Sequence, residues 1–420
     1  MKTILVLSTL DTKGTETFYL RDKIKELGKK PVVLDISIPY TVDKSVTSAK
    51  DRKADIPSDK VALAGGSTFA DLLASNERAK KTAVITKGAS NIALNMWNEG
   101  KVDGVIGIGG STGSLMATDV MRALPFGVPK VMISSTAALT GMSTKYIDIG
   151  DIALMHSVVE ISGLSDVLKN VIDRSAYAVC GMAEASPLNV AAGKGARKAI
   201  ALTMLGPCEQ CASQVRKALE TEGYQFIGFS AAGIGDRAME AMIEQGLFDG
   251  IVDLAPGAVI EHLIGGMRDA GPTRMEAAGK VGIPQIISTC GVNHITPPKS
   301  KYTDEHKSRR KYDLDKFRTW LRTSPEELRM AARAFTEKLN KAKGPVKIII
   351  PAKGWSSVDV PGSITHDPVE DHIFVEELQK GLNPQIKVLE ADANMEDKAF
   401  ADRVIELGLK MFGEKGTKNS

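Results

Sequence analysis

The sequence predicts an α/β protein made of two Rossmann-like open α/β domains related by apparent internal duplication. Three observations predict it. Short apolar runs alternate with helical patterns, as in parallel sheets covered on both faces. Several of these runs end in Gly, Ser or Thr just before a helix, above all Gly104-Val-Ile-Gly-Ile-Gly109, which leads into Gly110-Ser-Thr-Gly-Ser114. The second half also echoes the first. Val102-Asp-Gly-Val-Ile106 is matched by Phe248-Asp-Gly-Ile-Val252, Pro129-Lys-Val-Met-Ile-Ser134 by Pro284-Gln-Ile-Ile-Ser288, and the helix stop at Gly28 by Gly223.

Residues 4–7 read as the first strand, 11–14 as its loop, and 15–27 as a helix with Phe18, Leu20, Ile24 and Leu27 on one face. Residues 31–36 are the next strand and 40–60 a polar excursion or lid. Residues 61–76 read as strand and loop or as short helices, and 80–97 as a helix. After the glycine run a helix covers 115–124. Residues 129–134 form a strand ending in Ser134-Ser135-Thr136, 137–151 a loop, and 152–179 a buried helix. The stretch 184–197 is small and polar with Pro and Gly. It divides the chain into an N-terminal domain over 1–183, a linker over 184–197 and a C-terminal domain over 198–420.

The pattern then restarts, with strands at 199–205, 226–229, 249–254 and 284–289 and helices at 212–222 and 237–246. Residues 299–311 are a charged connector. Ser324-Pro-Glu-Glu327 has the form of a capping box with Pro at the first helical position, and opens a helix to 339. Strands at 346–350 and 386–389 and helices from 367 and over 398–411 complete the domain, and 413–420 reads as a frayed tail.

Composition narrows the function. A chain of 420 residues exceeds one ordinary core. The 54 basic and 51 acidic residues nearly balance, and only 5% of residues are aromatic, so no nucleic-acid partner is expected. No run approaches the ~20 apolar residues of a membrane span, so no membrane partner is expected either. Four Cys are too few for a disulfide framework, which points to a reducing cytoplasm.

The glycine run carries the clearest chemistry. A strand, a glycine loop and a helix N-terminus present backbone N–H groups to an anion, and Gly lets the backbone approach it. Residues 109–114 lack the Walker lysine and the third glycine of the dinucleotide fingerprint. Asp11, Thr12 and Lys13, just past the first strand, add a cation and an orienting carboxylate. Gly233-Ile-Gly-Asp-Arg-Ala238 does match the dinucleotide pattern, with Asp253 near the acidic position, although it follows the second strand of its half. Cys208 and Cys211 lack a second ligand pair for zinc. Cys211 near a helix start, His294, Lys353 and His366 lie after strands and are the candidate catalytic groups.

Thr9-Leu-Asp-Thr-Lys-Gly14, Gly109-Gly-Ser-Thr-Gly113, Met239-Glu-Ala-Met-Ile243, Gly246-Leu-Phe-Asp-Gly250 and Asp367-Pro368 resemble the ATP-binding domain family named after a tomato mosaic virus resistance protein. The resemblance runs over about residues 2–411. It implies two Rossmann-like halves, a homodimer, and ATP bound by the first half; the Asp11 carboxylate leaves Mg as an option beside the phosphates. Its motifs fall on Thr9, Asp11, Thr12, Lys13 and Gly14, on Gly109, Gly110, Ser111, Thr112 and Gly113, on Ser134, Ser135 and Thr136, and on Cys211. The chain departs from the family pattern at 254–257 and 291–298.

These observations lead to a nucleotide-binding two-domain protein whose phosphates sit on residues 109–114. One form of that reading is an enzyme acting on a small anionic metabolite in the cleft between the halves, through His294, Cys211, Lys353 and His366. Another is a non-enzymatic, nucleotide-gated interaction module with 299–311 as its contact segment. A third alternative is an NAD-dependent dehydrogenase.

Overall fold

Apolar runs that do not alternate with polar residues become central strands of two parallel sheets. A computed structural model describes residues 1–39, 53–185 and 197–413. The chain divides into two units, Met1–Asn189 and Val190–Ser420.

In the first unit the elements run β1 (Thr3–Ser8), α1 (Leu10–Glu26), β2 (Lys30–Asp35), α2 (Ser58–Ala64), α3 (Phe69–Ala74), α4 (Arg78–Asn98), β3 (Gly104–Gly109), α5 (Ser111–Ala123), β4 (Lys130–Ser134), α6 (Met142–Ile147), β5 (Ala153–His156) and α7 (Asp166–Met182). The sheet order is β2-β1-β3-β4-β5, and every pairing is parallel. Leu5, Leu7, Val105 and Met132 face a core with Ile85 of α4 and Met116 of α5. Ile4, Val6, Ile106 and Ile133 face the opposite core with Leu20 of α1 and Ile172 of α7. Both sheet faces are therefore covered, which is why the strands read as unbroken apolar runs.

Three readings change here. The predicted loop at 11–14 is the first turn of α1, where only Lys13 leaves helical angles (φ −125°, ψ 20°). Residues 137–151 contain α6. The predicted helix over 152–179 is instead the edge strand β5, an irregular turn, and α7. Gly163, at φ 76°, interrupts the helical pattern, and Ser165 caps α7 by accepting from the Leu168 N–H. The excursion at 40–60 is described only from residue 53, and the linker only at 184–185 and 197; the other linker residues and 414–420 lie outside the described residues.

The second unit runs β6 (Ala199–Met204), α8 (Glu209–Thr221), β7 (Gln225–Ser230), α9 (Ile234–Glu244), β8 (Gly250–Asp253), α10 (Ala258–Ile264), α11 (Ala277–Val281), β9 (Gln285–Ile287), β10 (His294–Ile295), α12 (Asp304–Ser308), β11 (Lys311–Asp313), β12 (Thr319–Arg322), α13 (Pro325–Leu339), β13 (Val346–Pro351), α14 (Pro368–Gly381), β14 (Lys387–Ala391) and α15 (Lys398–Gly413). Its main sheet, read from one edge, is β7-β6-β8-β9-β13-β14, again all parallel. Its first five positions repeat the order of the first sheet.

The repeat extends to single hydrogen bonds. The Asp103 carboxylate accepts from the Thr3 N–H at 2.7 Å, and Asp249 accepts from the Ala199 N–H at 2.8 Å. Gly104 lies against Ile4, as Gly250 lies against Ile200. The charged connector folds into α12, β11 and a small antiparallel sheet of order β10-β12-β11. Its two arginines are paired within the unit, Arg309 with Glu327 and Arg310 with Asp367 and Glu370. Among the described residues no helix is long and apolar enough to cross a membrane.

Candidate functional site

A parallel sheet of order β2-β1-β3-β4-β5 reverses direction of growth between β1 and β3. Ligands of such sheets lie beyond the carboxyl ends of the strands at that reversal. Here β1 ends at Ser8 and β3 at Gly109, so the structure brings both predicted loops to that point. Built on Gly113, a Cβ would lie 3.8 Å from the Thr9 side chain, and built on Gly110, 3.8 Å from the Ser135 hydroxyl. The ends of β1, β3 and β4 therefore meet around one glycine turn.

That turn is shorter than the sequence suggests. Gly109 closes the strand, Gly110 is the N-cap, and Ser111 is already in α5. No side chain caps α5, and its first hydrogen bond runs from the Ser114 N–H to the Gly110 carbonyl. The N–H groups of Ser111, Thr112 and Gly113 thus project from the open end of a 13-residue helix. Beneath them the hydroxyls hold the turn in place. Ser114 donates to the Gly109 carbonyl at 3.2 Å and bonds Ser134 at 2.7 Å. Ser134 in turn contacts Thr136 at 3.2 Å, and Thr136 contacts Tyr146 at 2.6 Å. Ser114 and Ser134 are fully buried, so Ser134 shapes the loop from below, whereas Ser111, Thr112 and Ser135 reach the surface.

The charges nearby come partly from residues the sequence reading missed. Arg78, at the start of α4, donates to the Thr112 hydroxyl at 3.2 Å. Lys13, the expected cation, donates instead to the Ile161 carbonyl at 2.6 Å. Asp11 and Thr12 begin α1, where Thr12 contacts Thr9 at 3.1 Å. The N–H groups that open α1 are already taken: Leu10 donates to Asp35 and Asp11 to the Ser37 hydroxyl, each at 3.2 Å. Burial raises the pKa of Asp35, and the nearby Asp11 adds to the shift. Of the two neighbouring helix starts, α1 is satisfied by its own chain and α5 is open.

In the second unit the start of α8, the counterpart of α1, is closed by a side chain, and the start of α10, the counterpart of α5, has no side-chain cap but is covered by a neighbouring loop. Glu396 accepts from the N–H groups of Gln210 and Cys211 at the start of α8. At Gly257, the counterpart of Gly110, an added Cβ would stand 2.2 Å from the Gly291 carbonyl oxygen. The dinucleotide-like segment is also filled: Gly235 packs on the Ser230 carbonyl, and the Asp236 carboxylate accepts from the Gly233 N–H at 2.9 Å. Asp236 and Asp253 both pair with the fully buried Arg274, so Asp253 does not reach out to a ribose.

The four catalytic candidates separate into three places. Cys211 lies in the core with Cys208 and Cys290, and burial holds its thiol protonated. Lys353 forms an exposed pair with Asp392 at 2.9 Å. His294 and His366 come together around Asp359: His366 bonds the Asp359 carboxylate at 2.8 Å, while His294 and Asp359 line one small cavity. Among the described residues there is no group of three or more His, Cys, Asp and Glu placed to hold a metal ion.

Two family descriptions cover almost the whole chain. The N-terminal domain of an uncharacterised protein family, UPF0261, matches residues 2–187, and the C-terminal domain of the same family matches residues 197–412. A UPF0261 protein of Clostridium tetani is 33% identical over 402 residues, covering 95% of this chain and 96% of its own. The ToMV resistance protein Tm-1(GCR237) of Solanum lycopersicum is 29% identical over 430 residues, covering 97% of this chain and 55% of the plant protein. The resemblance read from the motifs is borne out by these matches. A UDP-N-acetylglucosamine 2-epimerase structure aligns over 99% of this chain and 97% of its own, at 12% identity and a TM-score of 0.25.

Proposed function

The chain belongs to the uncharacterised protein family UPF0261, and on that premise we propose that its first unit binds ATP at the start of α5. The phosphates take the N–H groups of Ser111, Thr112 and Gly113, where the helix dipole favours an anion. The hydroxyls of Ser111, Thr112 and Ser135 add donors, and Arg78 supplies charge. Lys13 joins them on release from the Ile161 carbonyl. Asp11, on the neighbouring helix start, is the carboxylate available to a Mg ion carried in with the phosphates. The single observation that supports the reading is the uncapped N-terminus of α5 at the reversal point of the sheet, beside a satisfied α1.

Gly110 offers a clean test. Its backbone is in an ordinary region (φ −81°), and its Cβ would meet only the Ser135 hydroxyl, at an ordinary contact distance of 3.8 Å. Gly110→Asp therefore fits the fold, and as an N-cap it stabilises α5 by a few tenths of a kcal/mol. The same carboxylate occupies the phosphate position. Calorimetry is expected to give saturable ATP binding by the wild type, weakened at least about tenfold in Gly110→Asp, with a melting temperature no lower than the wild type. Wild type that takes up no ATP at millimolar nucleotide, or a variant that binds as well, contradicts the assignment.

A further inference from the structure

The loop between β5 and α7 is held in a form that its own residues do not favour. Val158 has φ 64°, in the left-handed region, and is 75% exposed. A β-branched residue is strained there, and at that exposure packing does not offset the cost. The strain is imposed by the two ends of the segment. At one end Ser157, fully buried, donates its N–H to the Ser134 carbonyl at 3.1 Å and its hydroxyl to the Val159 carbonyl at 2.5 Å. At the other end the Ile161 side chain is buried in the core with Leu20 of α1 and Ile172 of α7.

Two side chains of α1 hold the backbone beyond Val158. Lys13 Nζ donates to the Ile161 carbonyl at 2.6 Å, and the Gly163 N–H donates to the Glu16 carboxylate at 2.5 Å. Glu16 is buried, so its tie is sheltered. Lys13 is half-buried and is the residue of α1 that leaves helical angles. Its turn begins at Thr9, whose carbonyl accepts from the Lys13 N–H at 2.8 Å and whose side chain lies beside Gly113 at the start of α5. The ammonium that ties down the loop is therefore carried by the turn that meets the phosphate site.

A neutral carbonyl is the weaker partner for an ammonium. With a phosphate both ends of the hydrogen bond are charged, and the bond is stronger. We propose that Lys13 is a latch between these two partners. In the empty site it holds Ile161; when ATP binds at α5 it swings to the phosphates, and residues 158–161 leave the strained form. The Ile161 side chain stays in the core, so the change is a turn of the backbone about it. The proposal rests on the assignment of ATP to α5. Only the released form offers Lys13 to the phosphates, so nucleotide favours that form. By reciprocity, anything that favours the strained form weakens nucleotide binding. Val158 and Glu160, both exposed, move with the latch and carry the nucleotide state to the surface of the first unit.

NMR of the full chain during ATP titration tests the latch, read at the amides of Ser111, Thr112 and Gly113, at the Val158 amide and at the Ile161 carbonyl carbon. All are expected to move together, the Ile161 signal upfield, as a carbonyl moves when it loses its donor. Val158→Asn adopts a positive φ readily and gives up no packing. It is expected to melt no lower than the wild type and to bind ATP at least about threefold more weakly. Val158→Pro cannot take a positive φ. It is expected to show the moved Ile161 signal without ATP and to bind ATP more tightly than the wild type; if it does not fold, Val158→Asn decides alone. Shifts at Ser111, Thr112 and Gly113 with Val158 and Ile161 unmoved overturn the latch and leave the ATP site standing. No shift at the three amides removes the ATP site and the latch with it. Equal ATP affinity in Val158→Asn and the wild type overturns the latch as well.

Discussion

At the scale of single residues, His294 illustrates how burial and chemistry interact. Loss of water disfavours its charged form, and the guanidiniums of Arg268 and Arg322 push the same way, so its pKa lies well below the ordinary imidazole value. As pH falls below about 6.5, the unfolded chain takes up a proton that the folded ring refuses. Stability rises with pH wherever the unfolded state binds more protons, so this residue makes the fold weaker in acid. His294→Phe removes the titration. Urea unfolding between pH 7 and about pH 5 is expected to show a smaller acid loss in the variant than in the wild type; equal losses contradict a neutral buried His294. The sequence placed His294 and His366 after strands, which was enough to mark them as candidates. It did not reveal Asp359 as the partner of His366, or Asn293 and Ser356 as neighbours of His294, because those residues meet only through the fold. Arg78 was equally invisible: it is 34 residues from Thr112 in sequence, and no local spacing announces a contact of that kind.

At the scale of elements, the readings that held are those with a local physical signal. The Ser324 capping box is present, with Ser324 and Glu327 each bonding the other's backbone N–H, and α13 ends at Leu339 as its pattern predicts. The reading of 152–179 failed because apolar spacing alone does not separate a short edge strand plus helix from one longer helix. The start of α1 was placed late because Asp11, Thr12 and Gly14 have turn composition. The acceptors that satisfy this helix start, Asp35 and Ser37, lie at the end of the next strand. The duplicated Asp-Gly steps make a prediction at this scale. Asp103 and Asp249 each tie the start of the third strand of a sheet to the first residue of its neighbour. Truncation leaves a backbone N–H without its acceptor, so Asp103→Ala and Asp249→Ala are each expected to cost about 1–3 kcal/mol by denaturant titration. A cost near zero in either would mean that this shared contact does not support its sheet.

At the scale of the whole molecule, one strand order serves two units, and they differ in what their helix starts offer. The fold class and the duplication were legible because strand runs, helix stops and Asp-Gly steps recur along the chain. The asymmetry was legible in outline, since 255–257 lacks the glycine and hydroxyl run of 109–114. How the second unit closes its helix starts was not legible. Glu396 reaches Gln210 and Cys211 across 186 and 185 residues of chain, and Gly257 is blocked by the distant Gly291. These closures make the second unit an internal control for the first. The most direct measurement is therefore the backbone amide NMR spectrum of the full chain during ATP titration. The N–H signals of Ser111, Thr112 and Gly113 are expected to shift saturably, while those of Gln210 and Cys211, held by Glu396, stay in place. Unmoved signals at 111–113, or equal shifts at both helix starts, would contradict the assignment of the phosphates to α5.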